Sequence, residues 1–250
     1  MLGNVIEDFL TGLQFLTRIS IKTKKQWSPD SFSRSVKFFP IIGGIIGLLL
    51  TGIVYGAQNF WGVKLPLHLM AVSIILIEII ITGGLHCDGL MDTVDGVFSG
   101  KSRERMLEIM KDSRVGAFGA MSFCLLIVMK YSLILDIEPV LLPIAIFVMP
   151  IIGRTAVVMA ITLYPYARAD GLGKGLSQCE HKNTLYIAGL IAILLLVPFG
   201  KLVLLSSGVA IAFAILVAEY VNKRLGGLTG DVYGAVVELT ELVALVVFLF

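Results

Sequence analysis

The chain has 250 residues, of which 57% are hydrophobic and only 15% charged, with a formal net charge of +2 and a mean hydropathy of +0.92. Soluble domains run at about 45–50% apolar and 25% charged residues, so this composition excludes an ordinary soluble domain and marks an integral membrane protein. The small net charge gives no reason to expect a nucleic-acid partner, and Cys87, Cys124 and Cys179 lie too far apart in sequence to read as a disulfide framework. No second Cys or His stands at zinc spacing from Cys87.

Residues 1–39 do not read as a signal peptide, because Glu7 and Asp8 stand where a positive segment should lead into an apolar core. Val5, Ile6, Phe9, Leu10, Leu13 and Leu16 recur at helical spacing. They predict an amphipathic helix on the membrane or against the bundle. Arg18, Lys22, Lys24, Lys25, Arg34 and Lys37 then make a basic segment.

Membrane-spanning helices need about 20 apolar residues each. They are expected near 40–60, 65–83, 116–135, 139–162, 185–199, 201–221 and 231–250, the fifth being short. The fold class is therefore an all-α integral membrane protein. It has about seven transmembrane helices, an N-terminal amphipathic helix and short cytoplasmic helices carrying acidic motifs. No internal repeat or linker divides the chain, so one domain over 1–250 is expected. Lys and Arg collect in 1–39, 84–115, 163–184 and 222–230, whereas the other loops hold only Lys64 and Lys201. The asymmetry puts the N-terminus and the polar loops on the cytoplasmic side and the C-terminus outside.

The most polar stretch runs from Gly83 to Gly119. Asp88, Asp92 and Asp95 stand at i, i+4 and i+7. On a helix they share one face, where like charges repel and invite a cation. Glu108 and Asp112 repeat the i, i+4 spacing. Oxygen donors without paired thiols suit a hard divalent ion, Mg²⁺ or Mn²⁺. Gly89 and Gly96 sit beside the acids, and glycine in a helix costs about 1 kcal/mol unless close approach requires it. Lys101, Arg103, Arg105, Lys111 and Arg114 follow at once. Acids for a metal followed by cations for phosphate form a phosphoryl-transfer layout.

In segment 163–184, Gly171, Gly173 and Gly175 alternate with other residues, and Arg168 and Lys174 flank them. Freed backbone N–H groups beside cations suit phosphate. In the last loop and span, Asp231, Glu238 and Glu241 again fall near one helical face. Acids inside a span are costly and mark function or a buried pair. Glu78 and Glu219 are more isolated, and a local partner would explain them.

These motifs resemble the cobalamin synthase family, the adenosylcobinamide-GDP ribazoletransferases. The resemblance is carried by Phe15–Arg18, Phe39–Gly43, Gly84–Gly96, Glu108–Gly119, Gly153-Arg154 and Gly226–Asp231 with Glu238 and Glu241. It implies transfer of adenosylcobinamide-GDP to α-ribazole or its 5′-phosphate, with release of GMP, Mg²⁺ as cofactor, and a place in the cytoplasmic membrane. Membrane lipid and a second copy of the chain are further expected partners. Asp88, Asp92, Asp95 and Glu108 are then the expected metal ligands, and Asp112 the base, with His86 as the alternative. Arg103, Arg105, Lys111, Arg114 and Arg154 are candidates for phosphate, alongside Arg168 and Lys174. Asp231, Glu238 and Glu241 are expected to reach the substrate. The acidic motif also loosely resembles that of the CDP-alcohol phosphotransferases, which make phospholipids. A transporter using the intramembrane glutamates is a third alternative.

Overall fold

The structure is a computed structural model that describes residues 2–21, 29–59, 65–170, 175–176 and 183–250. Lys22, Lys24, Lys25, Lys64, Gly171, Gly173, Lys174, Cys179 and Lys182 lie outside the described residues. The chain is helical, with no strand among the described residues. The elements are α1 (Leu2–Leu16), α2 (Pro29–Ser35), α3 (Phe39–Asn59), α4 (Leu67–Thr82), α5 (Leu85–Val97), α6 (Arg103–Ile109), α7 (Ala117–Asp136), α8 (Leu142–Leu163), α9 (Thr184–Leu196), α10 (Lys201–Leu225) and α11 (Gly230–Val247).

The N-terminal apolar stripe does form a helix. Leu13 and Leu16 are buried, Phe9 and Leu10 half-buried, and Val5 and Ile6 exposed. A bidentate pair from Arg34 to Asp8, at 2.9 and 3.1 Å, ties α2 back to α1.

Among the described residues, four helical stretches are long and apolar enough to cross a membrane: Asp30–Gly56, Ala117–Asp136, Leu142–Leu163 and Lys201–Leu225. The count rises to five if α4 and α5, bent by 89° at their junction, are taken as one span. This differs from seven for two physical reasons. The helical stretch Thr184–Phe199 is shorter than a span. Helix α11 carries three acids, Asp231, Glu238 and Glu241, more charge than an apolar span of its length holds, and packs against α5, α7, α8 and α10. Its backbone is central, and its acids are satisfied by protein rather than set against lipid. By contrast, α7 exposes Met121, Leu125 and Val128, and α10 exposes Leu205, Val209 and Leu216. Such rows of exposed apolar side chains are what a lipid-facing surface requires.

Helix α8 is the other buried axis, packed between α3 and α11. Gly43 and Gly47 let α3 reach it. A Cβ at Gly43 would strike the Pro150 carbonyl, and one at Gly47 the Phe147 carbonyl. Small residues four apart allow such backbone approach between helices that share an apolar solvent.

Candidate active site

Helix α5 is set by the turn before it. Gly83 and Gly84 both have positive φ, 67° and 71°, a conformation that L side chains rarely adopt. Gly83 closes α4 with its N–H on the Ile79 and Ile80 carbonyls. The Arg18 guanidinium lies against Gly83, where a Cβ would otherwise stand. The corner directs α5 across α11. A Cβ on Gly89 would come within 2.6 Å of the Asp231 carbonyl oxygen, and one on Gly234 within 3.0 Å of the His86 carbonyl oxygen. The expectation that Gly89 marks a close approach is met, and Gly96 likewise abuts Met106 and Met110 of α6.

A second local device brings in the segment after α8. Tyr166 and Leu228 form an isolated parallel bridge, with Ala167 N–H donating to the Leu228 carbonyl and Leu228 N–H to the Pro165 carbonyl, both at 2.8 Å. This pins Arg168 beside the start of α11, where it pairs with Asp231 at 2.8 Å. Thr229 caps α11, its hydroxyl accepting from Val232 N–H at 3.4 Å.

These elements enclose a cavity of about 280 Å³ whose wall includes His86, Asp88, Arg168 and Asp231. Asp92 feels Asp88, Asp231 and Asp95 as like charges and Arg168 as a counter-charge. Asp88 and Asp231, from two helices, thus line the cavity with Arg168, and the Asp92 carboxylate lies close enough to feel all three.

Asp95 has a different use from the one its spacing suggests. Its two carboxylate oxygens accept from the N–H groups of Gly116 and Gly119, each at 2.8 Å. These are among the donors left free at the start of α7. The carboxylate also sits favourably against the helix dipole. Both glycines leave room for it, since a Cβ on either would strike the Asp95 carboxylate. Glu108 is exposed on α6 and held by Arg105 at 2.7 Å. The expected four-ligand set of Asp88, Asp92, Asp95 and Glu108 is therefore not assembled as such. Among the described residues no three His, Cys, Asp or Glu side chains stand together so as to cage a metal ion. Mg²⁺ does not need such a cage: it takes one or two carboxylates and completes its shell with water and substrate phosphates. Asp88 and Asp92, crowded by like charge, fit that mode.

Asp112, expected as the base, lies in the loop between α6 and α7 and is gripped by Arg114 at 2.6 Å. The hydrogen bonds from the Arg114 side chain, and then from its backbone N–H, pull the carboxyl down to about 2. A carboxylate so stabilised is a weak proton acceptor at neutral pH. His86 is also constrained. Its Nδ1 lies 3.3 Å from Nη2 of Arg154. A guanidinium only donates, so Nδ1 accepts and the ring proton resides on Nε2. His86 is placed to donate a hydrogen bond rather than to remove a proton.

The expected phosphate cations divide. Arg168 reaches the cavity. Arg103 is spent on backbone, its Nε donating to the Leu225 carbonyl at 2.6 Å and Nη2 to the Ala167 carbonyl at 3.2 Å. Arg105 and Arg114 hold the exposed acids just described. Lys111 is exposed. Arg154 is buried in the bundle, paired with Glu241.

Glu238 and Glu241 belong to that same interior network. Lys130 of α7 donates to Glu78 at 3.1 Å, to Glu238 at 2.8 Å and to Glu241 at 3.0 Å. The Cys87 thiol donates to Glu238 at 3.3 Å. The network ties α4, α5, α7, α8 and α11 together, and the local partner expected for Glu78 is Lys130. Glu219 has one as well, Lys223 at 3.4 Å. Lys130 was not singled out from the sequence. The signal was there: a lysine within a span must find a carboxylate, and three span glutamates lacked a cation. Phe15 and Phe39, which also line the cavity, open two of the motifs that carried the resemblance, whereas Tyr166 and Tyr233 carried no signal of their own.

Comparison with known proteins bears on this geometry. A family model described as cobalamin-5-phosphate synthase matches residues 8–249. A protein of Desulfitobacterium hafniense is 38% identical over 241 residues, covering 93% of this chain and 92% of that protein. One of Desulforamulus reducens is 41% identical over 232 residues, covering 92% and 90%. One of Caldanaerobacter subterraneus subsp. tengcongensis is 34% identical over 247 residues, covering 97% and 98%. All three are named adenosylcobinamide-GDP ribazoletransferase. No solved structure matches.

Proposed function

Because the chain belongs to the cobalamin-5-phosphate synthase family, we propose that it joins adenosylcobinamide-GDP to α-ribazole or its 5′-phosphate and releases GMP, the last assembly stage of cobalamin. A ribazole hydroxyl attacks the phosphorus that carries the cobinamide arm. The phosphoanhydride bond to GMP breaks, and the hydroxyl proton passes to a carboxylate. The observation that carries this reading is the convergence of Asp88, His86 and the Asp231–Arg168 pair on one cavity.

Each group has work in that step. Asp231, fixed by Arg168 and by the Thr229 hydroxyl at 3.2 Å, is the carboxylate that accepts the proton. Arg168 offsets charge on the reacting phosphate. The Nε2–H of His86 donates to a substrate oxygen. Mg²⁺, with Mn²⁺ as a substitute, is the expected cofactor; Asp88 and Asp92 would hold it, and it supplies positive charge beside the pyrophosphate.

We place the cavity on the cytoplasmic side of the cell membrane, because the Lys and Arg asymmetry favours that orientation. Cysteines introduced near Asp136 should react with an impermeant label from outside, and those near Lys101 should not; the opposite pattern rejects the orientation. The activity is tested with purified protein in a membrane mimetic, Mg²⁺, α-ribazole and the GDP-linked corrinoid. GMP and a joined corrinoid should appear together. CMP released from a CDP-linked donor, with no GMP from the corrinoid, would replace this reading with phospholipid synthesis.

A further inference from the structure

We propose that the 280 Å³ cavity is the subsite for the base of the acceptor nucleoside, and that Val157 and Ile161 on α8 form the wall that selects the base. The assignment rests on the transferase reading and goes beyond it, since that reading leaves open which substrate enters the cavity.

Size decides first. Ligand pockets run from about 300 to 1,000 Å³, so this cavity stands at the small end. It suits one bicyclic heteroaromatic base with its ribose. A corrin macrocycle with its side arms and upper ligand is several times too large. The bulky donor can present only its pyrophosphate at the mouth.

Chemistry agrees with size, because the walls divide by element. Helices α1, α3 and α8 contribute only apolar groups, among them Phe15, Phe39, Val157 and Ile161. Among the described residues, every charged lining group comes from α5, α11 and the 165–168 segment. A ribazole is divided the same way, into a flat, mostly apolar base and a sugar rich in hydroxyls. Seating the base against α8 leaves the sugar facing Asp88, Asp231 and Arg168, where the proposed chemistry needs a hydroxyl. The reverse orientation would bury those hydroxyls against Phe39 and Ile161 without partners, which buried hydroxyls do not tolerate.

Val157 and Ile161 stand one turn apart on α8, a rigid and buried element, so their volume translates directly into pocket volume. One methylene more or less in an apolar pocket changes discrimination by about 10–200-fold. Ile161→Trp fills the cavity, and Ile161→Ala enlarges it. The experiment measures KM for α-ribazole and for the GDP-linked corrinoid in both variants. It also measures kcat/KM for acceptors bearing benzimidazole, dimethylbenzimidazole or a still larger tricyclic base. Ile161→Trp should raise the acceptor KM at least about tenfold and leave the donor KM within about twofold. Ile161→Ala should shift the kcat/KM ranking toward the larger base by about tenfold; this arm stands even if the tryptophan variant does not fold. A change in donor KM alone, or an unchanged ranking in Ile161→Ala, overturns the subsite while a wild type that releases GMP upholds the transferase reading. A wild type that releases no GMP overturns both.

Discussion

Two groups of carboxylates share helix α11 and are treated in opposite ways. In the bundle interior, Glu78, Glu238 and Glu241 surround Lys130, and Arg154 takes the far side of Glu241. All five side chains are at most 6% exposed. Beside the cavity, among the described residues, Asp88, Asp92 and Asp231 have Arg168 to offset them. The first group is largely offset by its own protein and, with Cys87, ties five helices together, so it serves architecture. The second group is left short of positive charge, a cost to the folded state that a cation and a phosphorylated substrate relieve. Acids of the same kind thus hold the fold in one place and wait for a ligand in the other.

The sharpest test of this contrast is Lys130→Met. It strands Glu78 and Glu238 and leaves Glu241 with Arg154 alone, and breaking even one buried pair costs about 3–5 kcal/mol. The variant should extract poorly and lose its cooperative thermal transition in detergent. A variant that melts like the parent would remove the architectural role of the network. Asp92→Asn should do the reverse. Turnover should fall by about 10²-fold, the scale of losing one charge-stabilising group, while the melting temperature holds or rises because like charges are relieved. Raised Mg²⁺ should recover part of the rate by mass action, whereas Asp231→Asn should not respond to metal. Equal loss of stability in Asp92→Asn and Lys130→Met would erase the distinction.

Asp95→Ala probes the boundary between the two groups. It removes both acceptors at the start of α7 and should cost about 1 kcal/mol, the usual value of a helix cap, read as a lower melting temperature. Turnover should drop less than in Asp92→Asn. The smallest effect is expected at Asp112→Asn, within about twofold in turnover. Its carboxyl lies at about 2, below the ordinary value near 4. The contact with Arg114 is therefore fully formed above pH 4 and is lost only as the pH falls toward 2. Asp112 adds no inflection to the rate between pH 5 and pH 8. A fall of about 10²–10⁴-fold in this variant would return the base to Asp112.

Much of this was legible in the chain. The i, i+4, i+7 spacing of Asp88, Asp92 and Asp95 gave α5 and its acidic face. The glycines beside the acids gave close approach, and composition gave the membrane. What the spacing could not give was the destination of each oxygen. Asp95 shares a face with Asp92, yet its partners are backbone groups of Gly116 and Gly119, more than twenty residues on. Arg103 looks like a phosphate ligand until the Leu225 and Ala167 carbonyls come into reach. Helix α11 reads as a last span from its apolar content, and only the packing shows that its acids meet Lys130, Arg154 and Arg168. Local pattern fixes periodicity and face; long-range contact decides what a face meets.

The crossing of α5 on α11 has a consequence for biogenesis. Helix α5 is synthesised well before the surface that receives it, from Asp231 to Glu238; Cys87 and Glu238 are 151 residues apart. Until then Cys87 lacks Glu238, Lys130 lacks two of its three carboxylates, and Arg168 lacks Asp231. Chain order alone forces the membrane to hold α4, α7 and α8 first, with α5 undocked beside them. A nascent chain arrested before residue 230 should carry an α5 open to protease. The cavity is complete only once Gly230 to Gly234 have emerged, so a product truncated before them lacks the Asp231 side of the site.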